Sequence, residues 1–192
     1  MSFGEVNTSG TLIQSSIKTV SIEKAKQTPS DSIINTYDAE QNDLIINIQY
    51  QDKNRLICMY NSSIHIIKDG KDEVLVSLNE KDNNITFSDI ELSSNAYRII
   101  EKSAGLFKSN STVEIYNTTS KKQNIYNFNG VAKKVYSYGN IIAIDLGSEV
   151  LFINMNGWLI KKYNSAQDIK NIVLTDNLAG IVYRDKIEFI SL

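Results

Sequence analysis

Short runs of β-branched and aromatic residues recur along this chain at a spacing that few folds accommodate. From Leu44 onward the runs are separated by clusters of Asn, Asp, Gly and Ser, and no stretch carries a sustained apolar stripe at the helical period. Four aliphatic runs, over 55–60, 105–108, 141–146 and 178–183, each lead through a tight connection into a strand beginning at Ile64, Val113, Val150 or Ile187. Those four starts lie 49, 37 and 37 residues apart. A further strand is expected before each pair, over 44–50, 97–102, 132–137 and 169–174, and another after the first three, over 73–78, 123–128 and 158–163. Two connections have recognisable turn chemistry. Asp69-Gly70 and Asn156-Gly157 are dipeptides that reach positive φ in hairpin turns.

A unit of about 40 residues with four antiparallel strands is the repeat of a β-propeller, because each blade must cover both of its faces against its neighbours. The expected fold is therefore all-β, a β-propeller of four to five blades over 44–83, 84–130, 131–167 and 168–192, preceded by N-terminal strands over 1–43. The last unit stops one strand short. Within 11–35, Thr11 to Gln14 and Lys18 to Ile22 read as strands that either supply the missing one or build most of a fifth blade, and Pro29 interrupts the pattern. Three arrangements follow: a small ring closed within one chain, a partial ring completed by a second copy as a homo-oligomer, or one part of a larger propeller completed by further residues of a longer protein or by another chain.

A chain of 192 residues that is 42% hydrophobic can bury a sizeable core. Its net charge of −2 and pI near 5.5 arise from acids and bases spread along the sequence, which argues against a nucleic-acid partner. No window approaches the roughly 18 to 20 apolar residues of a spanning helix, and the first residues lack the pattern of a signal peptide. The single cysteine, Cys58, allows no internal disulfide and reads as a packed strand residue; the compartment stays open.

Candidate chemistry is sparse. The repeat places His65, Glu114, Leu151 and Glu188 in one column, and a histidine with two glutamates could ligate a metal if they converged. Equivalent positions on separate blades are expected not to converge, so these residues read as structural. His65 with Cys58 or a serine would be needed for a nucleophilic centre, yet no nucleophile elbow surrounds it. The carboxylate pairs Asp38 and Glu40, Asp89 and Glu91, and Asp145 and Glu149 read as solvated loop residues rather than a glycosidase pair. Phosphate-binding glycine loops are missing. Tyr60, Tyr126, Phe128, Tyr136 and Tyr138 fall near strand ends, where an apolar body with a polar tip suits an interface. No catalytic, cofactor-binding or metal-binding residue is assigned.

The blade pattern, a strand, a turn, an aliphatic strand, a short turn and then Val150-Leu151-Phe152-Ile153-Asn154 before Asn156-Gly157, resembles bacterial propellers of the WD40-like and quinoprotein-like class. Over residues 44–192 it looks most like a family of uncharacterised clostridial proteins in which a propeller follows a membrane anchor. That resemblance implies the extracytoplasmic face of a bacterial membrane and a protein or cell-envelope partner. The Gly-His and Trp-Asp dipeptides of true WD40 repeats are absent, and Trp158 is the sole tryptophan, so neither WD40 partners nor quinone docking is implied. The expected function is a non-enzymatic interaction or scaffold module; the alternative is a carbohydrate or other small-ligand binder or enzyme that uses the central channel.

Overall fold

The computed structural model describes residues 1–9, 12–41, 43–77, 85–91, 95–103 and 109–192. These form five antiparallel sheets, and in every sheet each strand bonds to the next in chain order. Such meanders need only short connections, which the Asn, Asp, Gly and Ser clusters supply. The chain divides into two compact units, Met1–Lys81 and Asp82–Leu192.

The first unit holds two sheets. β1 (Ser2–Ser9), β2 (Leu12–Val20) and β3 (Ile33–Asp38) make a three-stranded sheet. The expected pair of short strands between Thr11 and Ile22 is thus one continuous strand that belongs to a sheet of its own. It ends where Ser21 caps a short helix, α1 (Ile22–Gln27), by accepting the Lys24 N–H at 3.3 Å. Pro29 opens a 3₁₀ turn, as its fixed φ and missing N–H allow. β4 (Ile45–Asp52), β5 (Arg55–Tyr60), β6 (Ser63–Lys68) and β7 (Lys71–Ser77) make the second sheet. Asp69 and Gly70 take φ of 50° and 77°, the geometry expected of this turn. Ile17 from the first sheet packs with Leu56, Cys58, Tyr60 and Ile67 from the second.

Three sheets make the second unit. β8 (Ile85–Glu91), β9 (Asn95–Ser103), β10 (Ser109–Asn117) and β11 (Gln123–Asn129) form the third sheet; β12 (Lys134–Tyr138), β13 (Ile141–Asp145), β14 (Glu149–Asn154) and β15 (Leu159–Asn164) form the fourth. β16 (Asn171–Leu174), β17 (Leu178–Val182) and β18 (Ile187–Ser191) form the last, three-stranded as anticipated. The first strands β8, β12 and β16 lie beside one another, so the sheets fan outward from that side.

One expectation needs correction. The segment over 97–102 is the second strand of the third sheet, not its first, because Asn95–Ser103 pairs with both β8 and β10. The run over 105–108, expected to be the second strand, lies outside the described residues. Part of the excess in the 49-residue interval is local: β9 and β10 are 9 residues each, whereas β13 and β14 are 5 and 6.

The fourth sheet shows why these strands read as unbroken apolar runs. Ile142, Ile144, Leu151 and Ile153 pack toward the third sheet on Ile99, Val113 and Ile115. The alternate residues Ile141, Ala143, Val150 and Phe152 pack toward the last sheet on Ile172, Ala179 and Ile181. A strand buried on both faces has no polar side to alternate with.

Candidate functional site

The histidine–glutamate column is resolved into separate polar networks. In the second sheet His65 Nε2 lies 2.8 Å from Ser63 Oγ and Nδ1 lies 2.9 Å from Asp72. Buried Asp43 accepts from Ser63 Oγ at 3.1 Å, Ser62 Oγ at 2.6 Å and Ser62 N–H at 3.0 Å. Tyr60 meets the imidazole edge-on at 4.9 Å. Serine, histidine and aspartate thus stand in hydrogen-bonded order, as in a hydrolase. Ser63, however, is buried and its hydroxyl proton is directed to Asp43, so the set pins the β5–β6 turn.

In the third sheet Arg98 forks onto Glu114, which also accepts from Tyr116, and the guanidinium stands 5.6 Å over the Tyr116 ring. Burial, and then the bond to Glu114, raise the Tyr116 hydroxyl above its ordinary range. Leu151 is core. Between the fourth and last sheets Ser165, just after β15, donates to Tyr183, whose hydroxyl is 2.6 Å from that of Tyr163 in β15, and Tyr163 donates to Glu188 in β18. Lys186, then Tyr163, hold the Glu188 carboxyl below its ordinary value. Among the described residues no group of three or more His, Cys, Asp or Glu is arranged to hold a metal.

The remaining candidates are dispersed. Cys58 is buried, and burial pushes its thiol far up, away from the reactive thiolate. The carboxylate pairs are not confined to loops: Asp38 ends β3, Asp89 and Glu91 lie in β8, and buried Asp145 accepts the Gly147 N–H at 2.7 Å across its turn. Tyr60 and Phe128 are buried, Tyr126 and Tyr136 line core clusters, and Tyr138 is exposed. Asn156-Gly157 sits in a longer loop than the two-residue turn expected. Asn154 Oδ1 there accepts the N–H groups of Asn156 and Trp158, both at 3.0 Å, and Trp158 projects outward.

Clefts are open and polar. One of ≈ 490 Å³ is lined by Asn110, Thr112, Asn127, Glu149 and Lys162, where Thr112 already donates to Asn127 at 2.8 Å. Another of ≈ 420 Å³ has Asn117, Asn124, Asn140, Asn156 and Trp158 along it. A third, of ≈ 240 Å³ in the first unit, is lined by Thr19, Asn35, Tyr37 and Tyr50. None of these includes Ser63, His65 or Asp72, and the first two draw on outer-strand and turn residues, not the inner strands that would border a channel.

The feature that stands apart is the outward face of the last sheet. Tyr136, Ile141, Ala143, Val150 and Phe152 form the face of the fourth sheet that packs on the last sheet; 37 residues further on stand Val173, Leu178, Gly180, Ile187 and Phe189. Ala143, Val150 and Phe152 are fully buried, yet Val173 is 55%, Ile187 54% and Phe189 71% exposed. Register places Val173, Gly180 and Phe189 in one row across the three strands. The Phe189 ring lies against Gly180, where a Cβ would meet it at 3.6 Å. Sequence reasoning did not single out this row. Its signal was the 37-residue match of Phe189 to Phe152.

Five up-and-down antiparallel sheets of three or four strands make this an all-β protein of β-propeller type. The chain belongs to DUF5711, a family of unknown function, whose model matches residues 2–192. No curated protein matches it. Among solved propellers it is similar to Kluyveromyces lactis Hsv2p, with TM-score 0.51 and 8% identity over 98% of this chain and 73% of that one. KlAtg21, solved in complex with the coiled coil of AgAtg16, gives TM-score 0.52 and 12% identity over 98% of this chain and 66% of that one. The Hsv2 structure from Kluyvelomyces marxianus has TM-score 0.45 and 11% identity over 79% of this chain; the match spans about half (49%) of that chain.

Proposed function

We propose that the chain is a non-enzymatic interaction module that binds a protein partner through the outward face of its last sheet. The observation that carries this reading is the exposure of Val173, Leu178, Ile187 and Phe189; one repeat earlier the counterparts of the last three, Ile141, Val150 and Phe152, are core, and that of Val173, Tyr136, is half-buried against them. Water-exposed apolar rows of this kind are retained where a partner covers them. The engagement of His65, Glu114 and Glu188 by their own neighbours supports a structural role for the column over a catalytic one. That KlAtg21, a protein of similar fold, holds a coiled-coil partner supports it further. An envelope-facing location, implied by the resemblance to anchored clostridial propellers, belongs to the same reading.

The test compares the wild-type chain with the double variant Ile187→Asp, Phe189→Asp as immobilised baits for extract of the source cells. Proteins retained by the wild type and lost by the folded double variant are expected. Identical sets of retained proteins would refute the reading.

A further inference from the structure

We infer that the cleft beside Trp158, at the ends of the third and fourth sheets, is a carbohydrate-binding site for pyranose rings that carry their hydroxyls equatorially. It is a second site, lies within the second unit, and does not depend on the reading of the last sheet. Three observations carry it.

The first is an exposed aromatic on a fixed backbone. Trp158 is 70% exposed, yet the connection that carries it, between Asn154 of β14 and Leu159 of β15, is tied at every residue. The Trp158 N–H donates to Asn154 Oδ1 at 3.0 Å, and its carbonyl accepts the Asn154 N–H at 2.9 Å. Gly157 has φ of 80° and passes so near β11 that a Cβ would come within 3.2 Å of the Ile125 carbonyl oxygen. The Met155 carbonyl accepts from Asn124 Nδ2 at 3.1 Å, and its N–H donates to the Asn140 carbonyl at 3.1 Å. The backbone beneath the indole is therefore ordered before any ligand arrives, which lowers the cost of binding.

The second is the set of polar groups left over around that ring. The cleft of ≈ 420 Å³ has the size of a small-ligand site. Asn124 and Asn140 each engage one half of the amide on Met155, through Nδ2 at 3.1 Å and Oδ1 at 3.3 Å, which leaves Asn124 an acceptor and Asn140 its donors. The Asn156 amide, the Lys122 ammonium and the Trp158 indole N–H also line the cleft, and none bonds to a described residue.

The third is what such a set selects. An amide both donates and accepts, and so does a sugar hydroxyl. The negative face of an indole attracts the positive C–H groups of a flat ring. A pyranose with equatorial hydroxyls turns its hydrogens to the two faces and its hydroxyls to the rim, so one ring can lie on Trp158 while its rim reaches the amides. Other ligand classes fit less well. The described lining residues include no acid and a single base, Lys122, which gives neither the carboxylates that hold a hard cation nor the clustered cations that hold phosphates. Met155 is buried, so beyond the indole there is no apolar recess for the anchor side chain that a protein partner inserts.

The experiment titrates the full chain with cellohexaose and with chitohexaose, both built of equatorially substituted rings, to about 5 mM, above the roughly millimolar constants that so small a contact supports. Trp158 is the sole tryptophan, so tryptophan emission reports this site alone. The expected result is a saturable shift of that emission with at least one of the two sugars. In calorimetry with that sugar, Trp158→Ala, checked for retained β-structure, should weaken binding at least about tenfold and Asn156→Ala about threefold. Val74→Ala, at an exposed apolar position in the first unit, should leave it unchanged. No shift with either sugar overturns the inference, as does binding that stays at wild-type strength in folded Trp158→Ala.

Discussion

Phe152 and Phe189 are the same residue at the same place in consecutive repeats, one fully buried and the other 71% exposed. Replacing each with alanine isolates the effect of the neighbouring sheet. Full burial of a phenylalanine removes roughly 200 Å² from water, worth about 5 kcal/mol at ~25 cal/mol per Å². Measured Phe→Ala changes in cores cost about 3–5 kcal/mol. Phe152→Ala should fall in that range, since its ring fills the space between the fourth and last sheets beside Ile172 and Ile181. Phe189 has given up less than a third of its surface, so Phe189→Ala should cost about 1 kcal/mol. The difference, about 3 kcal/mol, is large enough to read from urea unfolding followed by circular dichroism. Equal costs for the two substitutions would show that the outward face of the last sheet is covered like its counterpart, and would refute the reasoning.

Three further outcomes follow from the networks. Cys58, buried and with its thiol pushed up, should resist thiol reagents in the native chain and react fully in denaturant; rapid native labelling would contradict its placement. Asp43→Ala should cost about 2 kcal/mol in urea unfolding, because it leaves Ser62 and buried Ser63 without their acceptor; a neutral substitution would mean that Asp43 does not pin the turn. The folded Glu188 carboxyl lies below its ordinary 4.5, so its contribution is complete above that pH and is lost as pH falls through the folded value. The stability gap between wild type and Glu188→Gln should therefore be present at neutral pH and close in acid. A gap independent of pH would exclude the carboxylate as its source.

The repeat was legible because blades buried on both faces impose continuous apolar strands, and residues 141–160 announce them plainly. β8 was missed because its Ser, Asp and Glu residues give Ile85–Glu91 a polar look, and only pairing with β9 identifies it as a strand. The Ser63–His65–Asp72 order was hidden for a different reason: Asp72 reaches the histidine across the β6–β7 hairpin, and Asp43 comes from the segment before β4. Linear spacing carries no sign of either contact. Phe189 looked like any core aromatic, since sequence records its apolar character but not whether a neighbour covers it.

The central claim, that the outward face of the last sheet is where this chain is bound, is tested most directly by hydroxyl-radical footprinting. Side-chain oxidation of Val173, Leu178, Ile187 and Phe189 should be compared in the purified chain alone and in the chain loaded with the proteins it retains from extract of the source cells. The account predicts strong labelling of these residues in the chain alone and their protection in the loaded chain, with exposed Trp158 unchanged as the internal reference. Labelling of Phe189 that is already as low as that of Phe152 in the chain alone, or that does not fall in the loaded chain, would contradict it.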